Sequence, residues 1–146
     1  MTRATVRIEG EAELMAALRA YGQRAERHVA DAVNATGLEL RGDIVQAYQR
    51  GPASGRVYQK SSPARTHQAS APGEAPATDT GRLASGVDFR RDGPMSATVG
   101  SQVAYAAMLE FGTSRIAPRP AWVPAVEAMR PKYIERLEAA LARAAQ

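Results

Sequence analysis

The sequence has no cysteine, and it has only two histidines, His28 and His67. Disulfides and thiolate metal ligands are therefore excluded, which suits a reducing compartment. His28 stands beside Val29 on a predicted helix, so we interpret it as a structural residue. His67 lies in a segment rich in Pro, Gly and Ala, which is a poor frame for holding a nucleophile and a base in hydrogen-bond contact. We expect no enzyme activity.

Other common signals are also missing. No His, Asp or Glu residues stand at the spacing of metal ligands, and the glycines match neither a phosphate loop nor a dinucleotide fingerprint, so we expect no metal and no cofactor. No segment approaches the roughly 18 uninterrupted apolar residues of a membrane span, and the first ten residues lack the apolar stretch of a signal peptide. We expect no membrane contact and synthesis in the cytoplasm.

Aromatic residues are scarce: they make up 5% of a chain that is 45% apolar. A core made largely of alanine with a few leucines buries little area per residue, so the lone subunit should be marginally stable. The formal net charge is +4, with a weak positive excess in residues 51–79 and 111–146. That excess indicates either an ordinary solvated surface or a surface that tolerates passing DNA.

The hydrophobic pattern predicts the order of the elements. Residues 2–8 alternate as a short strand does, and residues 11–49 repeat as an amphipathic helix, with a bend or break expected near Gly37. Residues 51–79 show no sustained period and predict a long loop, flexible until assembly. Asp79 or Thr80 then resembles a helix N-cap.

The second half predicts a hairpin of residues 87–91 and 97–100, followed by a short helix over 103–111 that Gly112 ends. A last amphipathic helix begins near Trp122, with a kink or restart at Pro131. The sequence thus predicts one α+β domain over 1–146, in which a long N-terminal helix and a C-terminal helix pack on a small, mostly antiparallel sheet. The core residues expected in its second half are Leu83, Tyr105, Leu109, Phe111, Trp122 and Val126.

Two motifs and the order of elements carry a resemblance. The motifs are HQASAPGEAPATDTGRLASGV, residues 67–87, and VGSQVAYAAMLEFGTSRIAPRPAWVPAV, residues 99–126. Together they resemble the gp-ten-like tail-component, or neck, proteins of HK-type tailed bacteriophages, and the resemblance covers nearly the whole chain.

The resemblance implies a structural virion subunit at the head–tail junction, made in the host bacterial cytoplasm. Such subunits form homo-oligomeric rings, six-fold or twelve-fold, between the head connector or stopper and the tail tube or terminator, and double-stranded DNA passes through without specific binding. The alternatives are a minor tail protein elsewhere on the tail and a DNA-binding regulator. The candidates for contact between subunits are Ser70, Ala71, Pro72, Gly73, Pro76, Gly112, Thr113, Arg115, Pro118, Arg119 and Pro120.

Overall fold

The computed structural model describes residues 10–146, so the strand predicted at 2–8 lies outside the described residues. The predicted α+β class with long first and last helices is confirmed. In chain order the elements are α1 (Glu11–Gln49), β1 (Val57–Ser61), β2 (Ala64–Gln68), α2 (Arg82–Ser85), β3 (Val87–Gly93), β4 (Ser96–Ser101), α3 (Ala106–Phe111) and α4 (Trp122–Ala144).

Helices α1 and α4 form an antiparallel pair. Trp122 at the start of α4 donates from its indole Nε1 to the Tyr48 hydroxyl, 2.8 Å away near the end of α1. At the other end, Arg24 Nε of α1 donates to the carbonyl of Ala144, 2.9 Å away. The buried residues of the seam are mostly small, so the two helix axes can approach closely. They are Ala32, Thr36, Met129, Ala140 and Ala144.

The main core lies where the second half of α1 meets α2, β3 and the start of α4. Ile44 and Val87 are its largest fully buried apolar side chains. The other buried members of the cluster are Tyr48, Ala84 and Ala121, and Leu83 and Trp122 pack against it while partly exposed. The core is therefore small, as the low aromatic content predicts.

The hairpin of β3 and β4 rests on α1, and Phe89 of β3 lies against Gly37. A Cβ atom on Gly37 would lie 2.4 Å from Cε2 of Phe89. The bend expected at Gly37 is wrong, because α1 runs unbroken from Glu11 to Gln49. This glycine makes room for an aromatic ring instead of interrupting the helix.

Two further expectations about the strands are wrong. The predicted loop contains the antiparallel hairpin β1–β2, which pairs Tyr58 with His67, and this hairpin forms a sheet separate from β3–β4. Its strands are mostly exposed on both faces, so their sequence lacks the apolar alternation by which strands are recognised. Whether the segment is flexible in the free subunit stays a prediction.

One helix-end expectation is also wrong. Neither Asp79 nor Thr80 caps α2, which follows Gly81 in the left-handed region at φ +76° and has no side-chain cap. Helix α4 does not restart at Pro131, because the proline lies inside one continuous helix, and the alternative expectation of a kink there stays a prediction. The expected turn at Gly112 is confirmed, with φ +74°.

Substitution of the α1 glycines tests the close approach of Phe89. Alanine favours a helix interior by about 1 kcal/mol over glycine. Gly37→Ala should nevertheless destabilise the protein by about 1–3 kcal/mol, because the methyl group overlaps the ring. Urea denaturation measures the difference.

Gly42→Ala is the matched control, because nothing lies within 4 Å of a Cβ atom at that position. It should raise stability by roughly 0.5–1 kcal/mol. Equal stabilisation by both substitutions would show that Phe89 does not pack against Gly37.

Candidate functional site

The structure brings the two segments predicted as subunit contacts, 70–77 and 112–120, side by side. The Gly73 amide donates to the carbonyl of Pro118 at 2.8 Å. Arg119 Nε donates to the carbonyl of Ser70 at 3.2 Å. Two stretches far apart in sequence thus form one continuous irregular surface.

Not every predicted contact residue lies on that surface. Ser70 is only 1% exposed, and Pro76 is also buried, so neither is available to a neighbour in the lone subunit. The cause is backbone crowding: a Cβ on Gly55 would lie 2.3 Å from the Ser70 carbonyl oxygen, and one on Gly51 would lie 2.1 Å from that of Pro76. Pro72, Gly73, Thr113, Arg115 and Pro118 are exposed, whereas Ala71, Gly112, Arg119 and Pro120 are half-buried.

The turn after α3 is held by its own hydrogen bonds. The Thr113 amide donates to the Ile116 carbonyl at 2.8 Å, and the Thr113 hydroxyl accepts from the amides of Arg115 and Ile116, each at 3.2 Å. At Gly112, a Cβ would lie 2.7 Å from the Ile116 carbonyl oxygen. The turn therefore presents the exposed Arg115 side chain from a fixed backbone.

Glu110 is the residue of this region whose role the sequence reasoning missed. Its carboxylate is buried and accepts hydrogen bonds from three consecutive amides at the start of α4: Ala121 at 2.8 Å, Trp122 at 3.0 Å and Val123 at 2.7 Å. A negative charge at a helix N-terminus also interacts favourably with the helix dipole. Glu110 therefore fixes α4 to α3 across the turn.

Three of the expected core residues are exposed, so their assignment to the core is wrong. Phe111 is 72% exposed, and Tyr105 and Val126 are also on the surface. Helix α3 has only six residues, and it turns Ala106 and Glu110 inward, which leaves Phe111 on the outer side. Leu83, Leu109 and Trp122 are half-buried.

Phe111 borders an open apolar groove. Residues of β4, α3 and the start of α4 line it, among them Val103, Ala107 and Trp122. An exposed aromatic ring beside an apolar groove is typical of protein contact surfaces.

A second cluster fastens the β1–β2 hairpin to the body of the protein. Asp79 forms ion pairs with Lys60 and with Arg65, whose Nη2 lies 2.5 Å from Asp79 Oδ1. The hydrogen bond from Lys60 is the main cause that holds the pKa of the Asp79 carboxyl below its ordinary value of 3.8, and the charges of Arg65, Lys60 and His67 add to it.

Ser70, His67 and Asp79 line one recess of about 320 Å³, but they do not form a catalytic arrangement. The Ser70 hydroxyl has no hydrogen-bond partner. His67 Nδ1 lies 3.8 Å from Asp79 Oδ1, beyond hydrogen-bond distance. A nucleophile needs a base in hydrogen-bond contact, and the described residues do not supply one here.

The described residues contain neither a cluster of metal ligands nor a membrane-spanning helix. Across residues 10–146, no three His, Asp or Glu side chains gather where they could hold a metal ion. No described helix is both long enough and apolar enough to cross a membrane.

The comparison with protein families identifies the chain. A family model described as "Bacteriophage HK97-gp10, putative tail-component" matches residues 12–112. The chain belongs to this tail-component family. No curated protein and no solved structure matches it.

The match to the tail-component family covers α1 through α3 and ends at Gly112. Glu110 lies within the matched part, while α4, which it caps, lies beyond it. The cap thus joins the family-defining part of the chain to its last helix.

Removal of the Glu110 carboxylate tests its role. Glu110→Ala should lower the free energy of unfolding by about 2–4 kcal/mol, because three amides lose their acceptor in a buried place. Glu110→Gln keeps one acceptor oxygen and should cost less. Denaturant unfolding measures both.

Glu127→Ala is the control, because Glu127 is exposed on the same helix. It should change stability by less than about 0.5 kcal/mol. If Glu110→Ala were as mild as Glu127→Ala, Glu110 would not hold α4 in place.

The Asp79 cluster yields a prediction about the hairpin. Asp79→Asn should open Lys60 and Arg65 to trypsin, whereas the unchanged protein should resist cleavage there. Because the folded pKa is lowered, the contribution of Asp79 is complete above pH 3.8 and is lost as the pH falls through the folded pKa. Limited proteolysis at neutral pH and amide exchange of β1–β2 at decreasing pH are the measurements.

Asp92→Asn supplies the comparison. Asp92 accepts hydrogen bonds from Arg90 at 2.7 Å and Thr98 at 2.5 Å in the other hairpin, so this change should leave cleavage at Lys60 and Arg65 unaltered. Rapid cleavage at these two sites in the unchanged protein would instead support a flexible loop.

Proposed function

We propose that this tail-component protein is a structural, non-enzymatic virion subunit that forms a ring at the head–tail junction. In this role it joins the head connector or stopper to the tail tube or its terminator and leaves a conduit for DNA. The observation that carries the proposal is membership of a bacteriophage tail-component family. The exposed apolar surface of the lone chain supports it.

The amount of apolar surface favours an assembly over a monomer. Phe111 is 72% exposed and Leu14 is 60% exposed, while the buried apolar side chains larger than alanine among the described residues are Ile44, Tyr48, Val87 and Met129. Monomeric proteins rarely leave large contiguous apolar areas in water. Contacts with other copies or with neighbouring virion proteins would cover these side chains.

The proposed ring is a homo-oligomer, six-fold or twelve-fold, with head-to-tail contacts that rotation closes. The exposed parts of the surface around Gly73 and Arg115 are candidates for those contacts. They lie on an irregular surface that internal hydrogen bonds already hold in shape, so little conformational entropy is lost on contact.

The charge distribution suits a conduit through which DNA moves. The net charge is only +4, and several basic side chains already pair with carboxylates. A protein that grips duplex DNA neutralises many phosphates with free Lys and Arg, whereas a conduit must not hold the DNA. The basic groups that are paired within the chain are Lys60, Arg65, Arg90, Lys132 and Arg136.

The proposal places the ring at the head–tail junction, and this position can be tested by assembly on tails. The chain should be mixed with tails assembled without it, and mass photometry should then find uptake in a fixed multiple of six. Electron microscopy should locate the added density at the head-proximal end. Deletion of residues 64–77 would remove part of the expected contact surface, but it would also remove β2 and the buried Ser70 and Pro76, so a loss of uptake could not be assigned to a lost contact.

Phe111→Glu should reduce uptake by about tenfold or more, because it places a charge on an apolar contact surface. Leu38→Glu is the control, since Leu38 is exposed but does not line the groove beside Phe111. Uptake at the distal tip or along the tube would favour a minor tail protein. Duplex DNA binding that weakens steeply between low and moderate salt would favour a DNA-binding regulator.

A further inference from the structure

Helix α1 extends well past the end of its partner helix. The α1–α4 hydrogen bond nearest the start of α1 joins Arg24 to the carbonyl of Ala144. Residues 11–23 precede it and extend over roughly 20 Å, at 1.5 Å per helical residue. We call these residues the arm, and every residue from 11 to 19 is exposed.

The arm carries an apolar face that nothing in the described part of the chain covers. Leu14, Leu18 and Tyr21 are exposed at spacings of four and three, which place them on one side of the helix, and Met15 adjoins them. A helical segment of about three turns that packs against nothing is only marginally stable in water, because most of the stability of a helix in a protein comes from packing of its apolar face. The arm therefore calls for a partner.

A matching apolar face lies on α4. Val123, Ile134 and Leu141 are exposed and fall on one side of the helix, and we call them the outer stripe. This side differs from the one that packs on α1, which carries Ala140 and Ala144. Nothing in the described part of the chain covers the outer stripe.

We propose that the arm of one copy of this chain packs on the outer stripe of the next copy. The spacing agrees: Leu14 and Tyr21 are seven residues apart on the arm, and Ile134 and Leu141 are seven apart on the stripe. A leucine lies between the two spaced residues on each helix: Leu18 on the arm and the half-buried Leu137 on α4.

Charge favours the same pairing. The arm has Glu11 and Glu13 in its first turn. If the two helices run parallel, Leu14 lies opposite Ile134 and Glu11 lies beside Arg130. If they run antiparallel, Leu14 lies opposite Leu141, but Arg143 lies on the opposite side of α4 from the stripe. The parallel direction therefore pairs the acidic tip with an arginine, and such complementary charges fix the register of a contact.

An arm cannot reach the outer stripe of its own chain. It continues straight along the axis of α1, away from the end of α4, so Leu14 lies roughly 15 Å beyond Arg24. The contact must therefore be between copies. Because the arm and the stripe are different surfaces, each copy gives one and receives one, which is the head-to-tail arrangement that generates rings.

The arm–stripe contact is small, so we expect it to be weak in a pair of subunits and stable in a closed ring. Three helical turns bury much less than the roughly 800 Å² per partner of a standard interface, so a single arm–stripe contact is weak. Closure of a ring adds the last contact without a further loss of translational freedom. This inference rests on the proposed ring, and it names the surfaces that join its subunits.

Cross-linking tests the contact, because the chain has no cysteine of its own. Ala17→Cys places a thiol at the centre of the arm and Glu138→Cys places one at the centre of the outer stripe, near each other in either direction. The two single-cysteine proteins, one carrying a larger tag, are mixed at high concentration and, separately, assembled on tails that lack the chain. A short bismaleimide should give the mixed product and no product from either protein alone.

The outcomes separate this inference from the proposed function. An Ala17→Cys homodimer would show that arms pair with arms, and the absence of the mixed product in both settings would also overturn the inference. If the protein joins tails in a fixed stoichiometry without the mixed product, the ring stands and the arm contact fails. If the mixed product forms but uptake at the head-proximal end fails, the contact stands and the proposed location fails.

A matched pair of variants tests the apolar face itself. Leu18 and Leu38 are almost equally exposed on α1, at 55% and 56%, but only Leu18 lies on the arm. Leu18→Glu should reduce the mixed product by about tenfold or more, whereas Leu38→Glu should leave it unchanged. Both should retain the melting temperature of the free subunit. Equal losses in the two variants would contradict a contact specific to the arm.

Discussion

The three hydrogen bonds from the start of α4 to the Glu110 carboxylate are the constraint on which the rest of the fold depends. They fix where α4 begins, and that in turn places Trp122 beside Tyr48 and sets the alignment of α4 along α1. The core closes only in that alignment, because Ala121 belongs to the same buried cluster as Ile44 and Val87. A buried acidic residue thus organises a chain that buries few large apolar side chains.

The α1–α4 pair serves as a rigid support for parts that face outward. The β3–β4 hairpin rests on α1 at Gly37, and the β1–β2 hairpin is attached through Asp79. Apolar side chains such as Phe111 remain in solvent because α3 is too short to bury more than one face. This division between a fixed support and uncovered apolar surfaces is typical of a subunit that completes its packing in an assembly.

The sequence was informative where a periodic pattern or a turn residue decided the structure. Helical periodicity located α1 and α4, and the paired segments 87–91 and 97–100 indicated the β3–β4 hairpin. The β1–β2 hairpin could not be predicted, because its exposed strands carry no apolar alternation. Burial along α3 was misjudged for a similar reason: six residues are too few for a period to show which side faces inward, so Phe111 was assigned to the core and the role of Glu110 was missed. The surface near Gly73 and Pro118 depends on hydrogen bonds between distant segments, which no local pattern reveals.

The alanine-rich seam between α1 and α4 has a thermodynamic consequence. Alanine has almost no side-chain conformational entropy to lose, so Ala32, Ala140 and Ala144 become ordered at little cost. They also bury little apolar area, and the heat capacity change of unfolding is governed by the apolar area exposed. The free energy of unfolding should therefore vary less with temperature than in a domain of this length with a large aliphatic core, which gives the lone subunit a low but broad stability curve.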